Sequence, residues 1–431
     1  SIDVKELTIY SQSGKPEDIR NGIAEVNYYE SILETSVKAS IVFADTGWRN
    51  YSNSVSTVES EGSDIQFAEK VYFKLQDEEE NKISFNTDDT CLRIIRKPYD
   101  IGSTQKMIIP LHLSTTEMIK NELVPYFVNK RYDGKISDTV ETILTELLKT
   151  KKPIDIEPTL NNLNIIGNQE GKGDYGKIFR TLVTLATKSI PDILNAKSNT
   201  AGYFFFETSE GYKFKSIDKM LSQTPKRKLI FNNTTSLPSG FDGKILTEPQ
   251  FSGDIDVIKN LRLGTYNSQR YTSDLFESKI RKTDVKSQEQ IKAAVLAGKT
   301  LPKIPEEFNQ PSRITNSLRD TGALPAGEKL SRQLEKSKEL NFEIEDILNQ
   351  AFMRYNQLFA IKTSFTIFVD MTLHAGDIIE CHFPEVSDKQ TQVVSDKRSG
   401  RYLIVNLRHY ISPNGPAFTR LDVVRDSYGR V

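Results

Sequence analysis

Residues 399–430 read SGRYLIVNLRHYISPNGPAFTRLDVVRDSYGR. Side chains alternate across a strand with period two, so Leu403, Val405, Leu407 and Ile411 are expected to share one face. Ser412-Pro413-Asn414-Gly415-Pro416 is a turn, because proline fixes φ and Asn-Gly tolerates positive φ. The return strand then places Thr419, Leu421 and Val423 on one face, and Phe418, Arg420, Asp422 and Val424 on the other. Only one face is consistently apolar. Asn406, Arg408, Tyr410, Arg420 and Asp422 make the opposite face a polar wall, the pattern of a sheet packed on a core with one side only.

Working outward, the preceding section is a β-meander. Thr363, Phe365, Ile367, Val369 and Met371 alternate inward, Leu373–Asp377 turns, and Ile378–Phe383 returns. Further back, Tyr203–Thr208 and Tyr212–Asp218 form a hairpin across Ser209-Glu210-Gly211. The run Tyr203-Phe204-Phe205-Phe206 reads as a strand buried on both faces rather than a base-stacking platform. The opening 1–112 is also strand-rich, with Glu34–Asp45, Val71–Leu75, Lys82–Asn86, Leu92–Lys97 and Lys106–Leu111 set between turns.

Between these β sections lie helices. Ser114-Thr115-Thr116-Glu117 has the form of a capping box, with Ser114 as the cap. Val140, Ile143, Leu144, Leu147 and Leu148 follow an i, i+3, i+4, i+7, i+8 stripe, and Ile178, Leu182, Leu185 and Ala186 begin another. Residues 225–355 break the β pattern. Within them 281–328 is polar and holds Pro302, Pro305, Pro311 and Pro325, which reads as an extended arm. A long helix follows over about 328–358.

Composition narrows the function. The chain has 431 residues, 27% charged and 37% hydrophobic, with a formal net charge of −1. No global field draws it to nucleic acid or a membrane. Two cysteines, Cys91 and Cys381, make no disulfide framework. The opening SIDVKELTIY has no secretory pattern, and no run of about 18 apolar residues exists, so no stable membrane insertion is expected.

Sequences with catalytic form are few. Gly171, Gly176 and Lys177 match most of a phosphate-binding loop, but Ile178 stands where the Mg²⁺-holding hydroxyl is needed and belongs to an apolar stripe. That loop is therefore rejected as a phosphate cradle. His374, Cys381 and His382 lie close together, yet Cys381 and His382 point to opposite faces of a strand and cannot share one ion without a bulge. Lys226-Arg227-Lys228 and Lys279–Lys282 read as solvated charge. GxSxG, HExxH and CxxC are absent. No catalytic, metal or cofactor-binding residues are assigned, and the chain is not expected to be an enzyme.

SGRYLI, RHYI and FTRLDVVRDSYGR at the end, AGYFFFETSEGYKFKSIDKM at 201–220, KRYDGKISDTVETIL at 130–144 and YYESILETSVKASIVFADTG at 28–47 together resemble baseplate central hub proteins of T-even-type contractile-tailed bacteriophages, relatives of VgrG-like spike hubs. The resemblance implies two tube-like antiparallel β-barrel domains; with the elements read above, the expected fold is α+β and β-rich, with an α-rich subdomain and, as a departure from the family, an inserted helical and extended region. The expected division is a first barrel at 1–112, an α-rich subdomain at 113–200, a second barrel from 201–224 and 359–431, and an insertion at 225–358. It implies a homotrimer forming a pseudo-sixfold ring between tail tube and central spike. The implied partners are the spike protein, tube or tube-initiator proteins and other baseplate subunits, with DNA only in passage. The implied location is the virion tail baseplate, after assembly in the host cytoplasm. Arg408, Arg420 and Asp422 are the candidate lumen-facing residues. The competing reading is a nucleotide-binding or cell-wall-degrading tail enzyme.

Overall fold

The computed structural model describes residues 2–12, 14–45, 65–99, 101–102, 107–129, 131–132, 134–160, 165–166, 176–192, 200–252, 256–274, 278–287, 294–318, 331, 344–385, 393–413 and 415–430. Its centre is the strand Gly400–Ile411. Phe418–Arg425 pairs along one edge, Leu403 opposite Val424 through Tyr410 opposite Phe418. The other edge is divided. Ile378–His382 takes Gly400–Leu403, and Ile23–Ser31 from the start of the chain takes Asn406–Ile411. Twelve residues at about 3.3 Å each give an edge long enough for two neighbours in succession.

That division corrects the barrel expectation. The strands of both ends join one 16-stranded sheet whose ladders form an open, branched path. From Gly400–Ile411 it runs through Ile23–Ser31, Lys38–Asp45, Met107–Thr115, Leu92–Arg96, Lys70–Asp77 and Ile2–Tyr10 to Pro16–Asp18. In the other direction it passes Ile378–His382 and Lys228–Ile230 to Gly243–Lys244. Phe418–Arg425, Ile361–Phe368 and Gln250–Ser252 branch from the centre. Alternation identifies strands and their inward residues, but it carries no information on which edges meet.

The hairpin Tyr203–Thr208 and Gly211–Ser216 is not in this sheet. It pairs with Ile154–Ile156 in a separate three-stranded sheet, which corrects the expectation that hairpin and closing strands share one barrel. Its first strand is buried throughout, as the aromatic run predicts. Tyr203 and Phe205 pack with Val140, Leu144, Ile178 and Leu182 of the helices. Phe204 and Phe206 pack instead with Leu403, Val405 and Val424.

A bulge explains that contact. Register shifts between Ile404 and Asn406, and one extra residue flips the face of everything beyond it. Leu403 and Val405 therefore turn to the hairpin, while Ile404 and Leu407 join the closing core with Phe365, Leu421 and Val423. The expectation that Leu403, Val405, Leu407 and Ile411 share one face fails at this bulge. Ile411 and Met371 reach the opening core around Tyr28, Phe43 and Phe73.

Two further readings change. The cap of helix Thr116–Lys120 is Thr115, which accepts from the Met118 amide at 3.2 Å; Ser114 still belongs to the strand and donates to the Val37 carbonyl. The 281–328 region contributes strands: Lys279–Lys286 and Arg313–Leu318 flank Asn267–Asp274. It is also stitched to the core. The Ala297 amide donates to Asp426, the Gly298 amide to Ser427 Oγ, and Thr300 bridges Tyr428. A side chain at Gly298 would meet the Arg425 guanidinium and the Tyr428 and Gly429 carbonyls. Of the expected long helix, Ile344–Leu358 is described, and residues 332–343 lie outside the described residues.

Candidate functional site: a polar wall across the continuous sheet

Directly opposite residues share a face, so the registers give the layout of the sheet's outer side. Phe368, Phe418, Tyr410, Asn27 and Ser40 form one row across five strands. Thr366, Arg420, Arg408, Tyr29 and Lys38 form the next. Ser364, Asp422, Asn406 and Ser31 form the third. The joint between Gly400–Ile411 and Ile23–Ser31 makes these one surface, drawn from both ends of the chain. Gln250–Ser252 and Met107–Thr115 extend it to seven strands.

The three sequence-derived candidates all lie on this wall. Asp422 is held by Ser364 Oγ at 2.7 Å and Asn406 Nδ2 at 3.1 Å. Arg408 donates from Nε to Asn27 Oδ1 at 2.7 Å, lies 3.8 Å from Glu25, and sits over the rings of Tyr29 and Tyr410. Arg420 is exposed and stands directly opposite Arg408. Glu25, Asn27 and Tyr29 were not among the sequence candidates. Their signal is the polar alternation of IAEVNYYES, which becomes informative only once this strand is known to border Arg408.

Beneath the wall, the buried face carries polar groups that tie distant segments together. Glu30 accepts from Tyr28 Oη at 2.9 Å, the Ser209 amide at 2.9 Å and the Ala375 amide at 2.9 Å, and lies 3.2 Å from His374 Nδ1. Burial pushes the Glu30 carboxyl up, but His374 and the two amides outweigh it and hold it below its ordinary value. Burial pushes His374 down, yet Glu30, Glu210 and Asp377 outweigh that and raise it. At His409 burial outweighs the pull of Glu30 and Asp370 and takes it down to about 4, and its Nδ1 lies 2.8 Å from Thr419 Oγ1.

A second joint is Lys152 between Glu117 at 3.0 Å and Glu207 at 2.8 Å, all nearly inaccessible. Burial raises Glu207 to about 7 despite Lys152. A third is Arg354, 2.6 Å from Asp426 and 3.5 Å from Asp218.

The remaining sequence candidates are placed elsewhere. Lys177 precedes helix Ile178–Thr187 and pairs with Glu122 at 2.6 Å, and the Gly176 carbonyl accepts from the Val128 amide. Gly171 lies outside the described residues. His382 bonds Glu380 at 2.5 Å while His374 is on Glu30, so His374, Cys381 and His382 are not gathered on one centre. Among the described residues no group of three metal-ligating side chains converges. Lys226 and Arg227 pair with Asp377 at 2.8 Å and Asp370 at 2.7 Å. Nor is any described helix long and apolar enough to cross a membrane.

No protein-family model matches the chain, and no curated protein matches its sequence. Solved structures share its fold. The prophage MuSo2 43 kDa tail protein from Shewanella oneidensis is 9% identical with a TM-score of 0.53, covering 99% of this chain and 100% of its own. A tail protein from Neisseria meningitidis MC58 is 9% identical with a TM-score of 0.51, covering 98% and 96%. The chain thus has the fold of phage tail proteins over nearly its whole length.

Proposed function

We propose that the chain is a structural hub subunit of a contractile phage tail baseplate, as its sequence resemblance to T-even-type central hubs suggests. Three copies form a ring that connects the tail tube to the central spike and lets DNA pass. Other baseplate subunits pack around it, and it resides in the virion tail after assembly in the host cytoplasm. One observation carries the reading: a sheet of this breadth buries one face in two apolar cores, and on the other it carries a polar wall that ends where Leu403 and Val424 pack under the aromatic hairpin. Such a wall suits the inside of a tube. Arg408, Arg420 and Asp422 then face the lumen, where mixed charge limits attraction to DNA phosphates.

A ring of three meets a sixfold tube through two sectors of the open sheet per chain, one around Ile23–Asp45 and one around Ile361–Arg425, rather than through two barrels. Mass in solution and an electron-microscopic projection test this. The expected result is three times the chain mass and a central hole. A monomer at high concentration, or a peripheral position in the particle, overturns it.

A further inference from the structure

Arg408 and Arg420 stand directly opposite each other in neighbouring strands. Like charges so placed repel and destabilise the pairing. Arg408 is partly offset by Asn27 and Glu25, whereas Arg420 reaches solvent. The adjacent row is aromatic: Phe368 is 64% exposed and stacks on Phe418, which stands opposite Tyr410. Phe368 thus stands exposed one row from two facing arginines that Glu25 offsets only in part.

From this juxtaposition we propose that the Arg408–Arg420 pair and the Phe368–Phe418–Tyr410 row form a docking platform for a segment of another protein that carries one carboxylate beside an apolar or aromatic side chain. The carboxylate lies between the guanidiniums, which offer fork-shaped donors. The apolar side chain covers Phe368 and Phe418. The surrounding charge favours a single anion over a polyphosphate. Glu25 lies 3.8 Å from Arg408, and Asp422 occupies the row beyond the arginines, so successive phosphates of a nucleic acid strand would meet acids on both sides. Lys38, the other cation of the row, is paired with Glu34 at 3.0 Å. Docking requires only that this face be exposed and does not depend on its lining a channel.

Fluorescence anisotropy on the full chain tests the platform. The probe is a short labelled peptide holding one glutamate between two phenylalanines. Its glutamine counterpart and a labelled dT oligonucleotide are the comparisons. The glutamate peptide is expected to bind. Its affinity should fall about tenfold with Arg420→Gln, with Phe368→Ser or with glutamine in the peptide, the size expected for one charged hydrogen bond or one buried ring. Both residues are surface-placed, so thermal unfolding of the variants should match the parent. Absence of peptide binding, or equal binding by the variants, overturns the proposal. Tighter binding of the oligonucleotide that is lost in Arg420→Gln overturns it in favour of nucleic acid.

Discussion

Two sets of ionised side chains, one enclosed and one on the open face of the large sheet, behave as different materials. In the enclosed set, Glu30 on the sheet's inner face, Lys152 against the hairpin and Arg354 on helix Ile344–Leu358 each connect separate elements through short bonds shielded from water. On the open face, Arg408 and Asp422 bond across neighbouring strands to Asn27, Ser364 and Asn406, Arg420 is exposed, and water shares the charge. Taking one partner from an enclosed pair leaves a charge without solvent, whereas an exposed charge is easily rehydrated. The interior ions therefore assemble the molecule, and the wall ions are free to serve a partner.

The largest effect is expected from Asp426→Ala. It leaves the enclosed Arg354 with the longer Asp218 contact as its acid partner among the described residues and releases the Ala297 amide, so equilibrium unfolding in urea should show a loss of about 3 kcal/mol. A loss below about 1 kcal/mol would erase the distinction between the two sets. Lys152→Met comes next. It leaves Glu117 and Glu207 enclosed without a cation, and the destabilisation should shrink as pH falls and the carboxyls protonate. A pH-independent loss would contradict this.

His374 sharpens the comparison through pH. Its folded pKa is raised above the ordinary 6.5, so its contribution is full below that value and fades as pH rises through the higher folded value. Glu30 is lowered from 4.5, so its contribution is present above 4.5 and fades as pH falls through the lower folded value. The Glu30–His374 joint is thus strongest between these limits. Glu207, raised from 4.5 to about 7, lowers stability as pH rises between those two values and adds nothing further above them. Thermal melts of the parent should fall from pH 6 to pH 8 more steeply than those of His374→Gln; identical slopes would remove His374 from the account. The smallest effect is expected from Arg408→Gln and Arg420→Gln, within about 0.5 kcal/mol of the parent. A larger loss would make the wall part of the scaffold.

Much of the site was legible before folding was considered. Alternation places Arg408, Arg420 and Asp422 on one face, and the pairing of Arg408 with Arg420 and of Asn406 with Asp422 keeps them there. Alternation failed at Leu403 and Val405, because a bulge adds a residue that no composition marks. It also missed the strands Lys279–Lys286 and Arg313–Leu318. Both are largely exposed and polar, so they lack the apolar period by which strands are found.

Local chemistry, written residue by residue, set the strands, the aromatic run buried on both sides and the residues of the polar wall. Backbone alternation and turn stereochemistry act over a few residues, and a linear string carries them intact. Partnership between edges was another matter. Ile23–Ser31 meets Asn406–Ile411, and Glu30 collects donors from Ser209 and Ala375, only when the whole chain competes for the same neighbours. Those contacts join positions hundreds of residues apart. That competition between edges left one open sheet in place of two barrels.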